Sequence, residues 1–332
     1  MTDILAISVI DPINGLLKIM QIYMNHNSKR LINLIYMKII QIFLFFAKHI
    51  AYLCRLISAG FAICFFLPFG ETDAAEKIRG QALQGDLMVF KTDAGTQLSL
   101  DGTPLLTSPT GYFAFGFHRD DSMAVSLDIL SPDGRRQQIV LTPKSRQYDM
   151  QRIDNLPGSM VTPPQEVLDR IRRDARDVKA ARAIFSEQED ALVNNFDWPV
   201  WGRISGIYGS QRILNGQPRQ PHYGIDIAAA PGLAVRAPAD GKIVMAKDLY
   251  FTGGTIIIDH GYHLNSTYSH LAKMITPVGT DVKRGDIIGT VGSTGRSTGP
   301  HLDWRINWKN KRLDPLLLAG PLLPALPIPR PF

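Results

Sequence analysis

The chain has 332 residues, 36 Lys and Arg against 30 Asp and Glu (net charge +6), and 45% hydrophobic residues. That length has room for more than one core, and the dispersed basic residues argue against a nucleic-acid-binding tail. Both cysteines, Cys54 and Cys64, fall in the first 70 residues, so nothing downstream can form a disulfide or a thiolate metal site, which is compatible with export.

Residues 1–75 read as a hydrophobic signal or anchor region. Its cleanest stretch, Leu56 to Phe69, is 14 residues without a charge, short for a bilayer span, which needs about 20 residues, but suited to the apolar core of a signal peptide with Lys48 and Arg55 as its basic flank. Asp73-Ala74-Ala75 offers a cleavage site; the alternatives are an uncleaved anchor or a buried helix. The position of this segment far from Met1 points to an internal start such as Met37.

Residues 80–155 read as an accessory β domain resembling a small sandwich. Runs at 86–90, 111–117, 123–130 and 138–142 are separated by Asp93-Ala94-Gly95, Asp101-Gly102 and Pro132-Asp133-Gly134. His118 is the one candidate ligand here, read as an ordinary surface or strand-end histidine. Pro163-Pro164 then opens a linker helix within 163–196, expected from about Gln165 to Asn194, with Leu168, Ile171, Ala175 and Val178 as its apolar stripe. From 199 to 317 glycine and β-branched residues become frequent. Strand-like runs at 242–246, 255–259, 265–269, 286–291 and 302–306 predict a compact antiparallel β domain. Residues 318–332 form a Pro-rich tail, expected to be extended. The predicted fold class is mainly β.

Three histidines and two carboxylates stand out over roughly 80 residues of the last domain, enough for a metal and its proton transfers. His222 and Asp226 would be ~13 Å apart on a regular strand; Pro221 and Gly224 argue for a bent backbone that brings them together, although the pair alone fits a structural role equally. His301 and Asp303, two apart on a strand, share one face. They can grip one metal together, or divide metal binding and proton handling between them. The Gly-rich segment 292–300 is read as a tight rim beside a groove, since no helix with Lys-Ser/Thr follows it. His270 ends the run Tyr268-Ser269-His270-Leu271. His260 and His263 lack such a context.

The ordered set Tyr208-Gly-Ser-Gln211, His222-Tyr-Gly-Ile-Asp226, Ala237-Pro-Ala-Asp-Gly241, Gly254 to Gly261, Tyr268-Ser-His-Leu271, Val282 to Gly289 and Gly292 to Leu302 resembles the M23 family of zinc metallopeptidases, the LytM/lysostaphin-type endopeptidases of peptidoglycan. The resemblance covers residues 199–317, about a third of the chain. It implies one Zn2+ per chain held by His222, Asp226 and the residue at 303, with His270 and His301 as the catalytic pair, one taking a proton from water and the other stabilising the oxyanion. Position 303 departs from the pattern: aspartate stands where the family has histidine. Aspartate also binds zinc, but two carboxylates make the ligand set more negative and the ion a poorer Lewis acid. The implied function is hydrolysis of peptide bonds of peptidoglycan, in the periplasm or cell envelope, with envelope or divisome proteins as further partners; the N-terminal hydrophobic segment, if uncleaved, would add an inner-membrane anchor. The alternative is a degenerate LytM-type regulator that activates other wall hydrolases. The Gly285-Asp-Ile-Ile-Gly289 run also resembles phosphotransferase carrier domains, a reading at odds with the paired ligands.

Overall fold

The computed structural model describes residues 74–155 and 163–319, together with Met37, Lys38, Ile39, Gln41 and Gly158. Of the expected cleavage site, Asp73 lies outside the described residues, while Ala74 and Ala75 lie within them and Ala75 opens the first strand; nearly all of the signal or anchor region and the tail from 320 onward lie outside. Among the described residues, no helix is long and apolar enough to cross a membrane.

Seven strands open the folded region: β1 (Ala75–Arg79), β2 (Leu87–Thr92), β3 (Gln97–Leu100), β4 (Thr103–Leu105), β5 (Tyr112–Gly116), β6 (Val125–Leu130) and β7 (Arg136–Leu141). They make two antiparallel sheets, β1-β2-β5 and β4-β3-β6-β7. Asp101 and Gly102 form the two-residue turn between β3 and β4, both with positive φ (49° and 73°), the backbone a tight hairpin requires. Val89, Phe113, Phe115, Leu127 and Ile129 are buried between them. His118 follows β5 and lies against the Tyr223 ring, with centroids 5.3 Å apart.

β8 (Met150–Ile153) leaves this region. The helix α1 spans Leu168–Arg182, shorter than the sequence pattern predicts. Beyond it the chain runs without helix until the four-residue α2 (Asp190–Val193). Tertiary contacts claim the intervening segment: Tyr262 N–H donates to Ser186 O at 3.0 Å, and Phe185 stacks edge-on against Tyr262. Ala175 is exposed rather than on the buried stripe. Asp174 turns inward in its place and accepts the Tyr250 N–H at 2.8 Å.

The last region contains β9 (Arg203–Gly206), β10 (Gln211–Leu214), β11 (Gln217–Pro218), β12 (Ile225–Ala228), β13 (Ala234–Arg236), β14 (Gly241–Leu249), β15 (Gly253–Asp259), β16 (Leu264–Leu271), β17 (Lys273–Met274), β18 (Asp281–Val282), β19 (Ile287–Thr290), β20 (His301–Trp308), β21 (Lys311–Leu313) and the short helix α3 (Pro315–Ala319). Its main sheet is antiparallel, in the order β18-β14-β15-β16-β20-β12-β9, with β21 also on β20. β15 and β16 are buried along their whole length, which is why they read as continuous apolar or mixed runs rather than as alternating strands. The exception to antiparallel pairing is β8, which pairs in parallel with β10 of the small β10-β11 hairpin.

The two β regions pack on each other. One apolar cluster joins Phe113 and Phe115 to Trp304 and Leu313. Ion pairs reinforce the contact: Arg146 with Asp314 at 2.8 Å and Lys311 with Asp121 at 2.7 Å.

His260 lies in the core, its Nδ1 on the Asp240 carbonyl and its Nε2 on Ser266 Oγ, both at 2.7 Å. It is a satisfied structural histidine. Burial lowers its pKa to about 4. A histidine lowered in this way stays neutral in the folded chain while the unfolded chain takes up a proton below its ordinary value near 6.5. Stability is therefore expected to fall as pH drops from about 6.5 toward 4, by up to ~1.4 kcal/mol per pH unit from this group. Denaturant unfolding of the wild type and of His260→Gln across that range checks it: the variant is expected to be less stable at pH 7 but to show the shallower acid dependence.

Candidate metal centre and active site

Two buried aspartates face each other on neighbouring strands. Asp226 of β12 is the register partner of Asp303 of β20, and Ser269 of β16 flanks Asp303 on the other side. Directly opposed like charges are unfavourable, and burial raises both carboxyls, so the pair requires cations close by. Arg305 is one. Two residues beyond Asp303 on the same strand face, it donates from Nε to Oδ1 at 2.9 Å and from Nη2 to Oδ2 at 2.5 Å. Arg212 of β10 donates from Nη2 to Asp226 Oδ2 at 2.8 Å. Burial pushes the Asp303 carboxyl up, but the Arg305 guanidinium outweighs this and holds it well below the usual carboxylate range. Asp226 is also lowered: burial and Asp303 oppose this, while His222 and Arg212 favour it.

His222 sits in the irregular segment ahead of β12. Its backbone is clamped at both polar groups, with Gly209 N–H on its carbonyl at 2.7 Å and its own N–H on Ser210 O at 2.9 Å. The bend brings His222 Nε2 to 3.0 Å from Asp226 Oδ1. Glycines make room for this convergence. A Cβ on Gly224 would meet Arg305 Cγ at 2.5 Å and Asp303 Oδ1 at 3.0 Å, and one on Gly206 would meet Asp226 Oδ2 at 2.3 Å.

One ligand atom from each of His222, Asp226 and Asp303 lies within 4.8 Å of the others. His222 Nε2 and Asp226 Oδ1 are buried, and neither has a hydrogen-bond partner among the described residues. Orphaned buried polar atoms cost about 1–3 kcal/mol each. Two donors around a tetrahedral zinc are separated by about 3.3 Å, close to the 3.0 Å seen between these atoms. The donor set therefore fits a divalent ion of the zinc type. Arg305 engages both oxygens of Asp303, but a carboxylate has about four lone-pair positions, so a metal and a guanidinium can share it.

His270 and His301 stand side by side, ring centroids 4.7 Å apart. His270 Nδ1 meets Thr294 O at 2.7 Å and His301 Nδ1 meets Gly299 O at 2.7 Å. A carbonyl only accepts, so each Nδ1 carries the hydrogen, and in the neutral ring each Nε2 keeps its lone pair. His301 Nε2 lies 3.8 Å from Asp226 Oδ1. Burial lowers the His270 pKa, against the opposing pull of Asp303 and the Thr294 carbonyl. His270 has φ +65°, a conformation uncommon for a side-chain-bearing residue and found often at working sites. Thr294 fixes it from the rim loop 292–300: its Oγ1 donates to Leu271 O and accepts the Gly254 N–H, both at 2.9 Å.

These five residues are the ones singled out in the sequence, and the fold gathers them at one end of β12, β16 and β20. His118, His260 and His263 are not part of the cluster. The sequence reading passed over Arg212 and Arg305, and with them the charge balance of the site: each carboxylate is shared with a guanidinium, so the ligand set is less negative than its aspartates alone imply. Arg305 had a signal, since Asp303-x-Arg305 puts both on one strand face. Arg212 had none; its contact with Asp226 lies 14 residues away, across the β10-β11 hairpin and the bend that follows it.

Beside the centre runs a groove of about 320 Å³, floored by Asp226, Ala228, His270 and His301 and walled by β9, the β10-β11 hairpin and the rim loop. A three-donor cluster, two adjacent imidazoles and an open groove are the parts that metal-assisted hydrolysis requires. Residues 220–315 match the family model described as Peptidase family M23. The chain is 32% identical over 148 residues to the peptidoglycan DD-endopeptidase ShyA of Vibrio cholerae, covering 43% of this chain and 34% of that protein. It is 36% identical over 127 residues to the DD-carboxypeptidase/endopeptidase Mpg of Neisseria meningitidis (38% and 29%), and 35% identical over 125 residues to the murein hydrolase activator NlpD of Escherichia coli (37% and 31%). In structure it is similar to a protein described as a peptidase M23 from Pseudomonas aeruginosa, with a TM-score of 0.56 and 27% identity over 72% of this chain and 96% of that one. The chain carries a C-terminal M23 peptidase domain behind a β-rich region, and it spans about a third of the length of these curated relatives.

Arg305 and a metal both offset the charge of Asp303. Breaking a buried ion pair by removing one partner costs about 3–5 kcal/mol. Arg305→Met is therefore expected to lower the Tm of the metal-free protein, and added zinc to recover more Tm in the variant than in the wild type. Calorimetry with and without zinc measures both; equal zinc shifts would mean that Asp303 is not a ligand.

Proposed function

We propose that this chain is a zinc-dependent endopeptidase that hydrolyses peptide bonds of peptidoglycan in the cell envelope. The observation that carries the reading is the convergence of His222, Asp226 and Asp303, with orphaned donor atoms, beside two histidines that each present a bare Nε2. Zinc, when bound by these three residues, supplies Lewis acidity toward the scissile carbonyl and toward water. Of the histidines, one accepts the proton of the attacking water at Nε2 and returns it to the departing nitrogen. The other, once protonated at Nε2, donates to the developing oxyanion. The Thr294 and Gly299 carbonyls fix Nδ1 as the donor in both rings, so Nε2 faces the reaction in each: one ring enters neutral and accepts there, the other enters as the imidazolium with a proton from solvent, and Arg212 and Arg305 keep the two carboxylates ionised and in place. Peptidoglycan as the substrate is supported by the activity named for ShyA, and a peptidoglycan substrate in turn implies action in the cell envelope.

A second reading has its own support. Both Asp303 oxygens are already engaged by Arg305, and NlpD is named as an activator rather than a hydrolase. On that reading the chain binds no zinc and acts through envelope partner proteins.

Metal analysis and muropeptide digestion separate the two. The peptidase reading expects one zinc per chain in the wild type, none in His222→Ala, and a full complement in His270→Ala. Turnover is expected to fall by about 10²–10⁴-fold in His270→Ala. A purified chain without zinc, cutting no muropeptide yet stimulating a separate wall hydrolase equally well as His222→Ala, would favour the regulator.

A further inference from the structure

The groove beside the metal centre is strongly cationic. Its wall residues include Arg203, Arg212 and Arg296, and Asp226 is the one acidic residue lining it. Arg212 is occupied by Asp226. Arg296 lies on the Phe251 ring, 4.5 Å from its centroid; burial lowers its pKa, and Arg212, Arg219 and Arg305 add to that by repulsion. Arg212 and Arg305 are each held by an aspartate, and the positive charge that Arg203 and Arg296 add to the groove wall is what a bound anion would offset.

Arg203 is the informative member. It is exposed, and no hydrogen bond or ion pair engages its side chain among the described residues. Its position is set by the sheet: Arg203 pairs with Ala228, and Ala228 pairs with His301. Directly paired residues project to the same face, so Arg203 stands on the His301 face two strands away, about 10 Å at roughly 4.8 Å per strand. An extended peptide advances about 3.3–3.6 Å per residue. With its side chain reaching inward, Arg203 therefore addresses a group one or two residues from the bond under attack. A guanidinium is matched to a carboxylate by its planar, forked donors.

We propose that the groove selects an anionic peptide, with Arg203 holding a free carboxylate one or two residues from the scissile bond and Arg296 reinforcing it. This rests on the peptidase reading above and narrows it. The substrate is a carboxylate-bearing stem peptide rather than a neutral bridge, and amidation of that carboxylate removes the anchor.

The test uses the zinc-loaded full chain and two stem-peptide substrates that differ in one group, a free carboxylate or its carboxamide. The wild type is expected to cut the carboxylate form with a kcat/KM about tenfold to a hundredfold higher, the range of one charge-assisted contact, with most of the difference in KM. Arg203→Gln is expected to bring that ratio close to one, and Arg203→Glu to reverse it. Equal cleavage of both peptides by the wild type, or a ratio unchanged in Arg203→Gln, overturns the proposal. Binding of the same two peptides to His270→Ala, measured by calorimetry, separates this from the reading beneath it. If neither peptide is cut but the carboxylate form still binds tighter in an Arg203-dependent way, the anion site stands and the peptidase reading fails. If binding does not discriminate either, the anion site falls too.

Discussion

The structure around the site depends on one constraint: two aspartates, Asp226 and Asp303, are buried next to each other on adjacent strands. Desolvation alone would protonate them. Their retention as carboxylates requires positive charge from several directions, and the fold brings it. Arg305 comes from the same strand as Asp303, Arg212 from the inserted hairpin, and the donor geometry with His222 leaves a place for a divalent ion. Arg305 answers both oxygens of Asp303, and Arg212 answers Asp226 Oδ2. The negative charge at position 303 thus arrives with its own guanidinium two residues later.

The same arrangement ties the accessory region to the centre. Arg212 lies on a hairpin whose partner in parallel pairing is β8, the strand that ends the first β region. Arg119 of that region donates to Gly209 O at 2.7 Å, next to the backbone that clamps His222. The first β region is therefore part of the mechanical support of His222 and Asp226, through the segment 207–223, and the shared apolar cluster between Phe115 and Leu313 resists separation of the two.

Legibility of the sequence differed by element for physical reasons. The strands of the last domain were readable because β-branched runs between glycine turns encode both period and boundary: the runs at 255–259 and 302–306 lie inside β15 and β20. The helix was overextended because 183–189 retains helical composition, and only the contacts of Ser186 and Phe185 with the Gly261–His263 turn pull it out of the helix. Ala175 was placed on the wrong face for a related reason: a hydrogen bond from Tyr250, 76 residues away in sequence, made Asp174 the inward position.

By itself the sequence determined the mainly β class, the order of the site residues and the same-face placement of His301 and Asp303, because a strand's two-residue period is local. Tertiary structure decided how close His222 comes to Asp226, which imidazole nitrogens stay bare, and how the aspartates are neutralised. Each of those depends on atoms far apart along the chain, the Thr294 carbonyl on His270 and the Arg212 guanidinium on Asp226, meeting where several strands end. Nothing in a local pattern of residues specifies such a meeting.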